Sequence, residues 1–431
     1  MKNILYSVAL VVLAVWGLTL LGQTASMDVW WWRKQLIFVT GLGSFVLMSL
    51  IMVLAIRPRW LEKPLHGLDK MYRLHKWAGI WAIGLAVAHY LIKLSKDMLL
   101  VFFERGVKEP RLENFLEVFR GAAKDIGEWT VWILGIMLVI TLWQRFPYHI
   151  WRYAHKALAV VYILIAFHGV VLTPADWWLQ PAGIVLGIST VVGVYCAIIA
   201  LSGRIGRTRR YQGSVSSVQQ HQGGVLEVTC QLPQQWAHQP GQFAFLTFDR
   251  FEGAHPFTVK SASCGDGQVR FAIKALGDYT TRLQTVLAAG RPVTIEGPYG
   301  CFDMQQGNGS EQIWIGAGIG VTPFIAWLEA LQAHPQQAPQ ATLYYCVKNT
   351  EEDVFSEQLQ RLCAALPNIT LQLHYSDQHG HLTADKVLQG RSRDTHIWFC
   401  GPQKFAQALQ QGMQAQGSPA CNFHKEYFQM R

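Results

Sequence analysis

Six apolar stretches, near residues 4–21, 36–56, 74–94, 129–145, 152–172 and 182–201, narrow the fold of this 431-residue chain more than any other feature. Each approaches the ~20 residues that a helix needs to cross a bilayer. A backbone in hydrocarbon must satisfy its own hydrogen bonds, so the pattern predicts a bundle of six membrane helices. Lysine and arginine orient the bundle. Arg57, Arg59, Lys63, Lys70 and Arg73 lie around the connection of spans two and three, Arg145, Arg152 and Lys156 around that of four and five, and Arg204, Arg207, Arg209 and Arg210 follow span six. The connection from Thr173 to Gln180 has none. Both chain ends are therefore expected on the cytoplasmic side. Met1-Lys2 and the apolar run behind it lack a small-residue cleavage site, and five more spans follow, so the run reads as a retained helix. The mixed-charge loop 95–128 is expected outside, with an amphipathic helix over 111–124 lying on the membrane or capping the bundle.

Hydrophobic residues make up 51% of the chain and charged residues 15%, and the imbalance is confined to the first half. The net charge of +9 sits beside the apolar spans, with no basic stripe interleaved with aromatics, which argues for membrane topology and against nucleic acid. Eight cysteines are scattered singly, the pattern of reduced cytosolic thiols. After Arg210, short alternating runs such as Val225–Thr229 and Phe243–Phe248, broken by glycine and proline, predict a small β-barrel. From about 311, strands at Gln312–Gly316, Ala341–Val347, Thr370–Tyr375 and His396–Cys400 alternate with helices from Thr322 and near 353–365, a parallel α/β pattern. The Gln/Gly-rich 305–311 reads as the linker.

Span three contains His75 and His89, and span five contains His155 and His168. Ionisable side chains inside spans are costly and therefore candidates for function. The fourteen-residue step from His75 to His89 covers ~21 Å at 1.5 Å per residue, inside a core ~30 Å thick. Neutral imidazole is an axial haem ligand. Pairing His75 with His155 near the inner face, and His89 with His168 near the outer face, makes two bis-histidine sites stacked across the bilayer. Neither pair has the carboxylate or thiolate partners of zinc or non-haem iron sites. The thirteen-residue step from His155 to His168 does not return to one helix face at ~100° per residue; a tilt, a local irregularity or approach from different sides would each accommodate it.

These histidines, with the soluble motifs that follow them, resemble the ferric reductase and NADPH oxidase superfamily from about residue 36 onward, and the chain resembles a bacterial member of it. The resemblance implies that His75, His89, His155 and His168 ligate two b-type haems. His255-Pro256-Phe257-Thr258, by composition only a turn entering a strand, is similar to the segment that lies against the flavin of FAD in ferredoxin-reductase-like proteins, Thr258 bonding to it. The segment from Lys274 to Leu283, with Gly277 at a turn and Thr280 and Thr281 at a helix start, reads either as a plain capped helix or as a pyrophosphate cradle, and the resemblance favours the cradle. Gly316, Gly318 and Gly320, followed by Thr322-Pro323, come after a strand and open a helix, where the backbone can approach a dinucleotide diphosphate. Cys400-Gly401-Pro402 ends a parallel strand. Its bland reading is a buried cysteine; the resemblance sets it beside the nicotinamide. Glu296–Gly300 resembles the turn that closes the flavin domain, and Phe428, in the acidic-x-aromatic ending, would cover the flavin ring. Cys400 and Phe428 are the residues expected next to the chemistry. Lys348 follows the second strand of the α/β half, where a cation can meet the 2′-phosphate of NADPH, whereas Glu351, Glu352 and Asp353 would repel it; NADPH is preferred over NADH.

The expected architecture is an all-α membrane bundle (1–205), a FAD-binding β-barrel (206–305) and a parallel α/β NAD(P)H-binding domain (306–431), in the plasma membrane of a bacterium. The implied electron route runs from cytoplasmic NAD(P)H through FAD and the inner and outer haems to an external acceptor, either molecular oxygen or a ferric chelate. Lys93 stands one turn after His89, where eukaryotic NADPH oxidases carry a further histidine, and Lys96 follows; either lysine attracts an anionic ferric chelate or superoxide, or snorkels to the interface. This departure from the resemblance argues against a dedicated superoxide generator. Two alternatives are an electron-relay subunit serving a partner protein or quinone, and a haem-free, membrane-tethered flavin reductase.

Overall fold

The structure is a computed structural model, and it describes residues 2–21, 28–104, 115–143, 146–307, 311–392 and 394–426. The fold divides into two compact units, residues 1–65 with 70–205, and residues 66–69 with 206–430.

In the first unit six helices are long and apolar enough to cross a membrane: Lys2–Leu20, Val29–Ala55, Leu68–Leu94, one ending at Leu142, one ending at Leu172, and Pro181–Leu201. Sparse hydroxyls join them, as small polar groups do where lipid removes any hydrophobic drive between helices. Ser44 Oγ donates to the Ala82 carbonyl (2.8 Å), joining spans two and three. The Tyr162 hydroxyl lies 2.8 Å from Ser49 Oγ and donates to the Ser189 carbonyl (2.9 Å), joining spans two, five and six. Phe45 stacks on Tyr162 in the buried centre. The loop 95–128 differs from expectation. Residues 111–114 lie outside the described residues, and Phe115–Phe119 is a 3-10 turn that runs directly into the fourth span, Arg120–Leu142. Residues 120–124 thus belong to the spanning helix and not to a separate amphipathic one; Ala122 and Ala123 carry the helix through. A short helix, Lys96–Phe102, follows the third span.

The second unit holds an antiparallel sheet of six strands, β1 (Arg210–His221), β2 (Val225–Gln231), β3 (Phe243–Thr247), β4 (His255–Thr258), β5 (Gln268–Lys274) and β6 (Pro292–Tyr299), in the order β4-β3-β6-β1-β2-β5. Alternate residues such as Leu226, Val228 and Cys230 fill its core, as period-two side chains must. A parallel sheet follows, built of β7 (Gln312–Ala317), β8 (Ala341–Val347), β9 (Ile369–Tyr375), β10 (His396–Cys400) and β11 (Phe423–Lys425) in the order β11-β10-β7-β8-β9. The edge strand β11 was not expected; three residues are too few to carry a period. Strand order reverses beside β7, so the carboxyl ends of β7 and β10 border the crevice where open α/β sheets bind ligands.

Candidate redox sites

Each predicted histidine pair comes together in the bundle. The rings of His75 and His155 have centroids 5.9 Å apart, and those of His89 and His168 6.3 Å. Two imidazoles on opposite sides of one iron, each at a metal–nitrogen distance of about 2 Å, hold their centroids roughly 6 Å apart. Three of the four rings also have one nitrogen on a carbonyl of a neighbouring span: His75 Nδ1 on Ile51 (3.2 Å), His89 Nδ1 on Ile37 (2.9 Å) and His168 Nδ1 on Ala123 (2.7 Å). Such a bond fixes the tautomer and turns Nε2, with its lone pair, toward the partner ring. His155 has no such anchor among the described residues; its ring stacks on Trp151, one turn earlier (4.8 Å). Span five is an unbroken α-helix from Tyr148 to Leu172, so no irregularity absorbs the thirteen-residue step. His168 is held by span four and His155 by its own helix, so the two rings are supported from different sides. The donor set is therefore suited to two bis-histidine haems.

The flavin and nicotinamide motifs meet in the second unit. His255 at the start of β4 stacks on Tyr279 (4.1 Å, 20° between planes), which brings His255–Thr258 against the helix Asp278–Val286. Burial pushes the Tyr279 phenol up to about 12, so it stays protonated. Thr280 is occupied: its hydroxyl accepts from the Leu276 and Gly277 amides and donates to the Gly277 carbonyl. It shapes the turn, and Thr281 follows it on the first helical turn. Lys274 is likewise engaged, with Glu352 at 2.9 Å.

At the parallel sheet, Gly316 and Ala317 end β7, Gly318 to Val321 form one 3-10 turn, and Thr322-Pro323 start the next helix, buried. A Cβ on Gly320 would strike the Cys400 carbonyl, and one on Gly401 the Cβ of Ala317. The glycine turn and Cys400-Gly401-Pro402 therefore lie against each other. The Cys400 side chain is buried, and burial, with Glu426 adding, pushes its thiol well above the ordinary value. Cys400 is thus a neutral, apolar neighbour of the crevice and no thiolate. Buried Glu426, two residues before Phe428, is the acid of the terminal motif, a residue whose place only the fold reveals. Phe428 itself lies outside the described residues.

A ladder of charges that sequence reasoning missed links the two sheets. Buried Lys260, two residues after β4, pairs with Glu227 of β2, and Arg270 of β5 bonds both carboxylate oxygens of Glu329 (2.7 Å each) on the helix that the glycine turn opens. Glu329 also accepts from the Ala262 amide (3.2 Å). Burial lowers the Lys260 ammonium below its usual range and Glu227 opposes that. Glu227→Gln is expected to cost about 3–5 kcal/mol by leaving a buried cation unpaired. A lysine whose folded pKa is depressed binds its proton less well than in the unfolded chain, so the loss is full below the folded pKa and fades as pH rises through it. Thermal melting of the purified chain across alkaline pH measures both effects.

The family profile described as ferric reductase like transmembrane component matches residues 40–166, an FAD-binding domain profile 210–303, and an oxidoreductase NAD-binding domain profile 314–411. A superoxide-generating NADPH oxidase heavy chain of Dictyostelium discoideum is 24% identical over 84% of this chain and 82% of its own length. Respiratory burst oxidase homolog protein E of Arabidopsis thaliana is 32% identical over 42% of this chain, which spans only 21% of that protein. Among solved structures, the flavohemoglobin from Malassezia yamatoensis with bound FAD and heme shares the fold at a TM-score of 0.50 and 17% identity, over 92% of this chain and 97% of that one.

Proposed function

Because the chain belongs to the ferric reductase and NADPH oxidase superfamily, as a transmembrane NAD(P)H and FAD oxidoreductase, we propose that it moves electrons from NADPH on the cytoplasmic side to an acceptor on the opposite side of the plasma membrane of a bacterium, through two haems on His75/His155 and His89/His168. The observation that carries this reading is the spacing of the two pairs, 5.9 and 6.3 Å between ring centroids. When bound, FAD accepts a hydride and releases electrons singly, and b-type haems relay them.

The residues of the chain do the positioning. Ile51, Ile37 and Ala123 hold three imidazoles through their carbonyls, and Trp151 orients the fourth. His255–Thr258 and the Gly277 turn would seat the flavin, and Gly316, Gly318 and Gly320 the dinucleotide diphosphate, with Cys400-Gly401-Pro402 flanking the nicotinamide. Phe428 would cover the flavin face.

Coenzyme choice follows from which acids are already paired. Glu352 is on Lys274 (2.9 Å), and Asp353 accepts from the Tyr375 hydroxyl (2.7 Å) and the Ser356 amide (3.0 Å). Exposed Lys348 makes no ion pair among the described residues. With two of the three acids engaged, Lys348 is the group left for a 2′-phosphate. A charge-assisted contact is worth about 1.5–3 kcal/mol, so Lys348→Ala is expected to raise KM for NADPH roughly tenfold or more while leaving KM for NADH in place; steady-state kinetics with both coenzymes decides it.

At the outer rim Lys93 pairs with Glu128 (2.8 Å), which also accepts from the Tyr90 hydroxyl (3.0 Å). A lysine neutralised in this way is a poor lure for an anion, which favours uncharged molecular oxygen over an anionic ferric chelate. Assaying superoxide and ferrous iron from the purified protein under NADPH tests the acceptor. Formation of neither would transfer the reading to a relay subunit serving a partner or quinone.

A further inference from the structure

The two anchors of the outer pair share a construction. His89 bonds the carbonyl of Ile37, and the residue one helical turn on is Gly41; His168 bonds the carbonyl of Ala123, and the residue one turn on is Gly127. Inside a helix each of these carbonyls already accepts the amide four residues later, and its second lone pair is reached only along the helix surface. The glycines leave that surface open, and at Ile37 the Thr40 hydroxyl, which donates chiefly to the Leu36 carbonyl (2.5 Å), also lies within reach of the same oxygen (3.2 Å). A Cβ on Gly41 would lie 3.0 Å from His89 Nδ1 and 3.2 Å from Cε1, and a Cβ on Gly127 would overlap the His168 ring. The inner pair lacks the device: one turn after Ile51 stands Ala55, with a longer bond of 3.2 Å, and His155 has no carbonyl anchor among the described residues. Gly84 and Gly135, in spans three and four, have nothing within 4 Å of their Cβ positions, so bare glycine in these helices is not by itself a socket.

We propose that Gly127 and Gly41 are positioning residues for the outer haem: each leaves the notch through which an imidazole reaches a second-lone-pair carbonyl bond, and this sets the ring orientation and basicity of His168 and His89. The inference rests on the reading that the pair holds a haem. A histidine that donates its other N–H to a carbonyl is a stronger electron donor to its metal, so closing a notch weakens donation and raises the potential of that haem alone.

The test compares Gly127→Ala, Gly41→Ala and the controls Gly135→Ala and Gly84→Ala in the full-length protein purified in detergent. Haem-to-protein ratio, the low-spin ferric electron paramagnetic resonance spectrum and a redox titration are recorded. Alanine is the better helix former, so any loss in the test variants and not in the controls comes from the notch. In Gly127→Ala one of two low-spin signals should move or vanish and the corresponding potential rise, with the other haem unchanged. Gly41→Ala, whose Cβ is tight and not overlapping, should show a smaller change of the same sign with full haem content. If Gly127→Ala does not fold, Gly41→Ala decides alone. Signals and potentials identical to wild type in the test variants, or equal changes in the controls, overturn the proposal while leaving the haem reading standing. A wild-type protein without haem removes both.

Discussion

Replacing His168 by alanine is expected to lower the haem content from two per chain to one and to reduce electron delivery to the outer acceptor by orders of magnitude, while NADPH still reduces the flavin. The reason is spatial. His75 and His89 are separated by about 21 Å along their helix at 1.5 Å per residue, so losing the outer centre replaces two short steps with one long one. His89→Ala should behave alike, because the two rings face each other at 6.3 Å. His155→Ala differs in kind: it removes the inner centre and should strand the electrons on the flavin. Rapid mixing with NADPH, followed at flavin and haem wavelengths, separates the cases. A His168→Ala protein that keeps both haems and the wild-type rate to the acceptor would sink the assignment.

The second large effect is expected at Gly320. Its hydrogen faces the Cys400 carbonyl so closely that any β-carbon must push the glycine turn away from the end of β10. Gly320→Val adds branching to that collision, and the obstacle is backbone on both sides, which cannot swing aside as a side chain can. Coenzyme-dependent reduction is expected to fall by at least about two orders of magnitude, the scale of a displacement near 1 Å at a reacting centre. The histidine pairs lie in the other unit, so haem held there should still be reduced by dithionite with unchanged spectra. Retained NADPH activity in Gly320→Val would show that the turn does not receive the dinucleotide.

The membrane half was legible where one physical rule dominated. Hydropathy marks the six spans because lipid admits few alternatives, and histidine spacing points to the pairs because charge in a span needs a purpose. What could not be read depends on register between helices. No pattern in the sequence tells that His168 would settle on Ala123 over Gly127, 41 residues earlier, or that His155 would lean on Trp151 instead of a carbonyl. Of the amphipathic helix expected over 111–124, the described part is no separate element, because Phe115–Phe119 is a 3-10 turn and the good helix-forming run Arg120 to Lys124 continues into span four. In the soluble half, the run Glu351-Glu352-Asp353 looks uniformly repulsive, yet Lys274 and Tyr375 take two of the acids. The Thr280 hydroxyl shows the converse: a residue read as a ligand group is first a local cap. The burial of Glu426 depends on the tertiary fold, and the charge ladder from Glu227 to Glu329 could not be read because its partners come from distant strands.

In the proposed route, electrons from NADPH reach haems held by His75, His89, His155 and His168. The absorption spectrum of the purified protein, recorded without oxygen before and after NADPH, decides whether this route exists. The expected result is low-spin b-type haem bands at two per chain that shift fully to the reduced form with NADPH. Absence of haem bands, or haem that dithionite reduces and NADPH does not, would contradict it.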